Sequence, residues 1–116
     1  MNLSYEIDIQ DPVVVYALKG RITNERDFIE LQQEVFDYLN QNYYRNVFDL
    51  RELTHTNSMG IGFFMRTLTK ARIMNGDLVL ANIGGNVEKV FEIAKLNEVY
   101  TIRPSVQEGI QFFTEQ

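Results

Sequence analysis

The stretch Asn46-Val-Phe-Asp-Leu-Arg-Glu-Leu-Thr-His-Thr-Asn-Ser-Met-Gly-Ile-Gly-Phe-Phe-Met-Arg66 changes character twice. Asn46 to Leu50 is a short, largely apolar run with room for little but a strand. Arg51 to Asn57 is polar and reads as a loop. From near Ser58, Ile61, Phe64, Met65, Leu68 and Ala71 recur at helical spacing up to Met74. Asn75-Gly76 closes that helix, with Gly76 expected as the left-handed residue beyond its end. Asp77 to Ala81 returns as a strand. Strand, helix and strand in this order form a right-handed crossover between parallel strands.

Working outward, Tyr5, Ile7 and Ile9 alternate with Glu6, Asp8 and Gln10, the period of a half-buried strand. Asp11-Pro12 turns the chain into Val13 to Leu18, a more deeply buried strand that ends at Gly20. So short a connection pairs the two as an antiparallel hairpin. A helix follows from Thr23 or Asn24 to about Gln41, buried through Phe28, Leu31, Val35, Tyr38 and Leu39. Glu25 and Asp27 suit its positive end. Beyond Ala81, Gly84-Gly85-Asn86 leads into a helix carrying Val87, Val90, Phe91 and Ala94. A short strand, Tyr100 to Ile102, precedes Pro104. Ser105 and Glu108 then form a capping box for a last helix with Ile110, Phe112 and Phe113. The order β-β-α-β-α-β-α-β-α describes one α/β domain, residues 1–116, built on a mixed sheet.

Composition removes whole classes of chemistry. The 116 residues include no cysteine and one histidine, His55, which excludes disulfides, thiolate nucleophiles, cysteine-ligated metals and multi-histidine sites. A net charge of −5 disfavours a general phosphate-backbone binder. The first residues have neither a basic nor an apolar signal region, and no apolar run is long enough to span a bilayer. A cytoplasmic protein without metal or other cofactor is expected, with no direct nucleic-acid contact and no membrane insertion.

Motifs for catalysis fail individually. Asn57-Ser58-Met59-Gly60 lacks the first glycine of a nucleophile elbow, and His55 stands only three residues from the serine. Gly60-Ile61-Gly62 lacks the third glycine of a dinucleotide fingerprint and lies within a helix start. Glu6/Asp8 and Glu30/Glu34 read as solvated charges. What remains is a serine at a glycine-flanked helix start. The first backbone N–H groups of a helix lack intrahelical partners and favour negative charge. Gly60 and Gly62 would let an anion approach that backbone, so phosphate on Ser58 could be held without unfolding the helix. The simpler alternative is that Ser58, or Asn57, is only the N-cap.

At these residues the chain resembles the STAS domain family, in particular the anti-sigma factor antagonists. The resemblance rests on an ordered set covering nearly the whole chain. Its parts are the hairpin ending Leu18-Lys19-Gly20-Arg21-Ile22, the strand Asn46–Leu50, the Asn57-Ser58-Met59-Gly60-Ile61-Gly62 signature, Asn75-Gly76 before Leu78–Ala81, and Val87–Ile93 with Leu96. It implies a phosphorylation-controlled partner switch rather than an enzyme. A GHKL-type serine kinase that doubles as an anti-sigma factor would phosphorylate Ser58, a PPM-type phosphatase would remove the phosphate, and the unphosphorylated form would capture the kinase. Asn57 stands where aspartate is common, Met59 where serine or threonine is common, and Thr23 where an acidic residue is common.

If Ile61, Phe64, Met65 and Leu68 face the core, then Met59, Phe63, Arg66 and Lys70 lie on another side at spacings of three and four. With Thr23, Asn57, Ser58 and Gly60 they form the expected partner-binding surface of a monomer or weak dimer. Two other readings stay open. One is an interaction module of the same fold that is never phosphorylated, a scaffold or a transporter-regulating subunit. The other is a small-ligand or nucleotide module using Gly84-Gly85.

Overall fold

The computed structural model describes residues 2–115. Five strands form one sheet in the order β1-β2-β3-β4-β5: Leu3–Gln10, Val13–Arg21, Arg45–His55, Asp77–Ala81 and Thr101–Arg103. β1 and β2 are antiparallel, and the pairings β2·β3, β3·β4 and β4·β5 are parallel, as the hairpin and crossovers require. Among the described residues there are four α-helices: α1 Ile29–Asn40, α2 Ser58–Ile73, α3 Gly85–Ile93 and α4 Val106–Thr114.

Alternation along β2 decides which layer covers which face. Val14, Tyr16 and Leu18 point to one side, where they meet Leu31, Val35 and Leu39 of α1, Phe63, Phe64, Leu68 and Ala71 of α2, and Val87 and Phe91 of α3. Val13 and Val15 point to the other, where Val47, Val79 and Ala81 pack under Phe113 of α4. The large core thus sits beneath three helices, and α4 seals part of the opposite face. Edge-to-face contacts run through the main core from Tyr16 to Phe48 at 5.5 Å and from Phe48 to Phe64 at 5.2 Å.

Five local expectations need correction. The segment Arg51–His55 is not a loop but the continuation of β3, because β2 stays paired to it through Lys19↔Glu52, Gly20↔Leu53 and Arg21↔His55 across a register shift. Its polarity reflects exposure of Glu52, Thr54 and His55 beyond the helix-covered part of the sheet. The first helix begins late. A single 3₁₀ turn, Glu25–Asp27, comes first, and the α-helix starts only at Ile29. At the end of α2 the left-handed residue is Asn75 (φ 65°), not Gly76. Gly76 is glycine for another reason: a Cβ there would lie 1.8 Å from the Tyr44 carbonyl oxygen. The other two, at Gly60 and Phe63, belong to the site. The Ser105 cap holds, its hydroxyl accepting from the Glu108 N–H at 3.1 Å.

Candidate functional site

Asn57, not Ser58, caps α2. Its Oδ1 accepts from the N–H groups of Met59 (3.1 Å) and Gly60 (3.2 Å), and its own carbonyl accepts from Ile61 N–H at 2.9 Å. The same side chain donates through Nδ2 to the Thr23 carbonyl at 2.8 Å, tying the helix start to the segment after β2. That segment is itself fastened. The Thr23 N–H (2.8 Å), Thr23 hydroxyl (3.0 Å) and Asn24 N–H (3.2 Å) all donate to the Asp27 carboxylate, and Asn2 Nδ2 donates to Thr23 Oγ1 at 3.1 Å. The Thr23 N–H first, then the other two donors, hold the Asp27 carboxyl below its ordinary value.

Ser58 is therefore the first helical residue, exposed, with the capping role filled by its neighbour. The two glycines behind it differ. Gly60 is buried, and a Cβ on it would meet Thr56 Oγ1 at 2.2 Å and Ile22 at 3.1 Å. Its smallness serves inward packing, so it neither opens the backbone to an anion nor belongs to the partner-binding surface. Gly62 lies on the outer side, where a Cβ would stand 3.2 Å from Arg66 Nη1.

Phe63 must also be withdrawn from that surface. It is fully buried, stacked on Phe28 at 5.1 Å with the rings 5° from parallel, and in contact with Phe48 and Phe64. The buried residues of α2 are Gly60, Phe63, Phe64, Thr67, Leu68 and Ala71, while Ile61 and Met65 are only half-buried. Thr67 tolerates full burial because its hydroxyl donates to the Phe63 carbonyl at 3.0 Å.

The outer face keeps Ser58, Met59, Gly62, Arg66 and Lys70. Met59 is 47% exposed. Arg66 donates from Nε (3.1 Å) and Nη2 (2.7 Å) to Gln32 Oε1 of α1, and the Lys70 ammonium lies 5.0 Å above the Phe36 ring. Both cations are thus turned toward α1, and Arg66 sits about 12 Å along the helix from Ser58 at 1.5 Å per residue. α1 contributes residues the sequence did not single out, Ile29, Gln32 and Phe36. Ile29 is 43% exposed beside a shallow depression of about 240 Å³. Their spacing of three to four, one residue out of step with the buried Phe28–Leu31–Val35 stripe, was the available signal. α2 carries no acidic residue and three cations, Arg66, Lys70 and Arg72, within a chain of net charge −5.

On the other side of Ser58, His55 ends β3 with Nε2 3.3 Å from Asn86 Nδ2 and Nδ1 2.9 Å from Thr54 Oγ1. Gly84 and Gly85 begin α3 facing open space, beside a depression of about 380 Å³. The three crossover helices lie on one face and the strand order never reverses. Among the described residues, no topological switch point of the sheet arises. Among the described residues there is no group of three or more His, Asp or Glu side chains arranged to hold a metal. No helix there is long and apolar enough to cross a membrane.

Comparison with known proteins agrees with this geometry. BtrV of Bordetella bronchiseptica, which carries the name of an anti-sigma factor antagonist, is 25% identical over 99 residues, 85% of this chain and 84% of that protein. A Thermotoga maritima protein described in the same terms superposes with a TM-score of 0.82 at 22% identity, covering 92% of each chain. The unphosphorylated form of SpoIIAA, an anti-sigma factor antagonist from Bacillus, superposes with a TM-score of 0.84 at 16% identity, over 97% of this chain and 98% of that one. The STAS domain model matches residues 4–109. With that match spanning the hairpin, the three crossovers and the exposed serine, the chain belongs to the STAS domain family.

Proposed function

We propose that the protein is an anti-sigma factor antagonist, a non-enzymatic partner switch of the cytoplasm controlled by phosphorylation of Ser58. The observation that carries this reading is the division of labour at the start of α2: Asn57 caps the helix and Ser58 is left exposed. A kinase can reach the hydroxyl without opening the fold, and adding phosphate removes no capping bond. The partners are a GHKL-type serine kinase that acts as the anti-sigma factor and a PPM-type phosphatase that resets the switch.

Unphosphorylated, the protein offers Ser58, Met59, Gly62 and the α1 residues Ile29 and Gln32 as a partly apolar contact, with Arg66 and Lys70 for register. Phosphate brings about −1.5 to −2 charges to its rim. That charge must be desolvated for the kinase to seat. Arg66, bonded to the neutral Gln32 amide, and Lys70, over the Phe36 ring, keep their positive charges and offset part of the phosphate's charge, but its desolvation still opposes binding. Release therefore follows from electrostatics and desolvation, with the fold unchanged.

Incubation with the kinase and ATP, followed by mass spectrometry, tests the assignment. One phosphate on Ser58, and none on Ser58→Ala, is the expected result. Phosphate elsewhere, or none, would leave a STAS interaction module without this switch.

A further inference from the structure

β1 is the edge strand beside β2. It pairs with β2 through all of Leu3–Gln10 in unbroken register, and among the described residues nothing pairs with its other side. The bond from Arg21 N–H to the Asn2 carbonyl fixes which residues face β2. Counting in twos along an antiparallel ladder, Ser4, Glu6, Asp8 and Gln10 exchange bonds with β2. Tyr5, Ile7 and Ile9 then direct their N–H and C=O groups to the open edge. Proteins commonly blunt such edges with lysine, proline, a bulge or a very short strand. Within β1 there is no lysine, proline or bulge, its only charges are those of Glu6 and Asp8, and Ile9 is 44% exposed.

What the edge carries is negative charge on both faces. Glu6 and Asp8 project from one face. From the other, Glu30 and Glu34 of α1 reach the Tyr5 hydroxyl. Lys19, next to this region on β2, is turned toward Glu52 at 3.8 Å, and Asp8 accepts from Gln10 Nε2 at 2.8 Å. A second copy is a poor occupant. Antiparallel self-pairing centred on Ile7 sets Glu6 opposite Asp8 twice, and like charges directly opposite are destabilising.

We infer that β1 is a second interaction surface, built to accept an extended, basic segment of another protein by strand addition. The segment would alternate apolar residues with lysine or arginine, its cations set beside Glu6 and Asp8 and its main chain bonded to Tyr5, Ile7 and Ile9. None of its residues belongs to the contact proposed around Ser58, so it stands or falls independently of the switch.

A nine-residue peptide alternating lysine and valine, and a control alternating glutamate and valine, test it against the full chain. Amide exchange read by NMR should slow at Tyr5, Ile7 and Ile9 with the lysine peptide alone, equally in wild type and Ser58→Asp. Glu6→Lys with Asp8→Lys should weaken the lysine peptide about tenfold and admit the glutamate peptide. The gain of the second peptide shows that the variant is folded. Equal protection by both peptides, no protection at these amides, or a dimer in sedimentation that already protects them would overturn the inference.

Discussion

Replacing Asn57 separates its two jobs. In Asn57→Ala, the N–H groups of Met59 and Gly60 lose the side-chain acceptor at 3.1 and 3.2 Å, and the Thr23 carbonyl loses its donor at 2.8 Å. Loss of an N-cap costs about 1 kcal/mol, and loss of the exposed hydrogen bond to Thr23 up to about another 1 kcal/mol. The expected destabilisation is therefore between about 1 and 2 kcal/mol, a fall in Tm of up to roughly 8 °C for a domain of this length. Asn57→Asp keeps the acceptor and gains about 0.5 kcal/mol from negative charge at the helix start. It cannot donate to Thr23, and a carboxylate oxygen would face the carbonyl instead. Its stability should fall between wild type and alanine, within about 1 kcal/mol of wild type. Urea unfolding of the three proteins gives the comparison, with equal slopes confirming that the same transition is measured. Alanine within 0.5 kcal/mol of wild type, or aspartate as damaging as alanine, would refute the assignment of the cap to Asn57.

Other substitutions sort the core from the surface. Phe63→Ala should cost about 3–5 kcal/mol in the same assay, since it removes a buried ring stacked on Phe28. Met59→Ala should change stability by less than about 0.5 kcal/mol yet weaken kinase binding in calorimetry. Asp27 has a folded-state pKa below its ordinary 3.8, so the stability it contributes is present above about pH 4 and lost as pH falls through the lower folded value. Acid unfolding followed by circular dichroism should accordingly show a shallower loss below pH 4 for Asp27→Asn than for wild type.

The architecture was legible because each strand and helix announces its own period, and short connections leave few ways to join them. The face of α2 was not. Apolar residues surround that helix at Ile61, Phe63, Phe64 and Met65, while two of its buried positions, Gly60 and Thr67, are not hydrophobic at all. A stripe drawn through the apolar letters alone comes out rotated, and Phe63 lands outside. Burial of Thr67 depends on a bond to the Phe63 carbonyl, and burial of Gly60 on contact with Thr56 and Ile22. Neither leaves a periodic trace. Gly76 shows the same limit: its glycine answers to the Tyr44 carbonyl, 32 positions away, while Asn75 takes the turn conformation. The serine itself was visible, because capping residues and glycines at a helix start are local features. Whether Ser58 or Asn57 capped the helix stayed open, since the bond that holds Asn57 runs to Thr23, 34 residues earlier.

The switch stands or falls on one affinity series. Calorimetric titration of the serine kinase with wild-type protein, Ser58→Ala, Ser58→Asp and the Ser58-phosphorylated form compares them directly. Wild type and Ser58→Ala should bind alike, and the phosphorylated form roughly a hundredfold more weakly, about 2.7 kcal/mol, with Ser58→Asp between them. All four should unfold at similar temperatures. Equal affinity across the series, or weakening that tracks a loss of fold, would contradict a switch built on charge at Ser58.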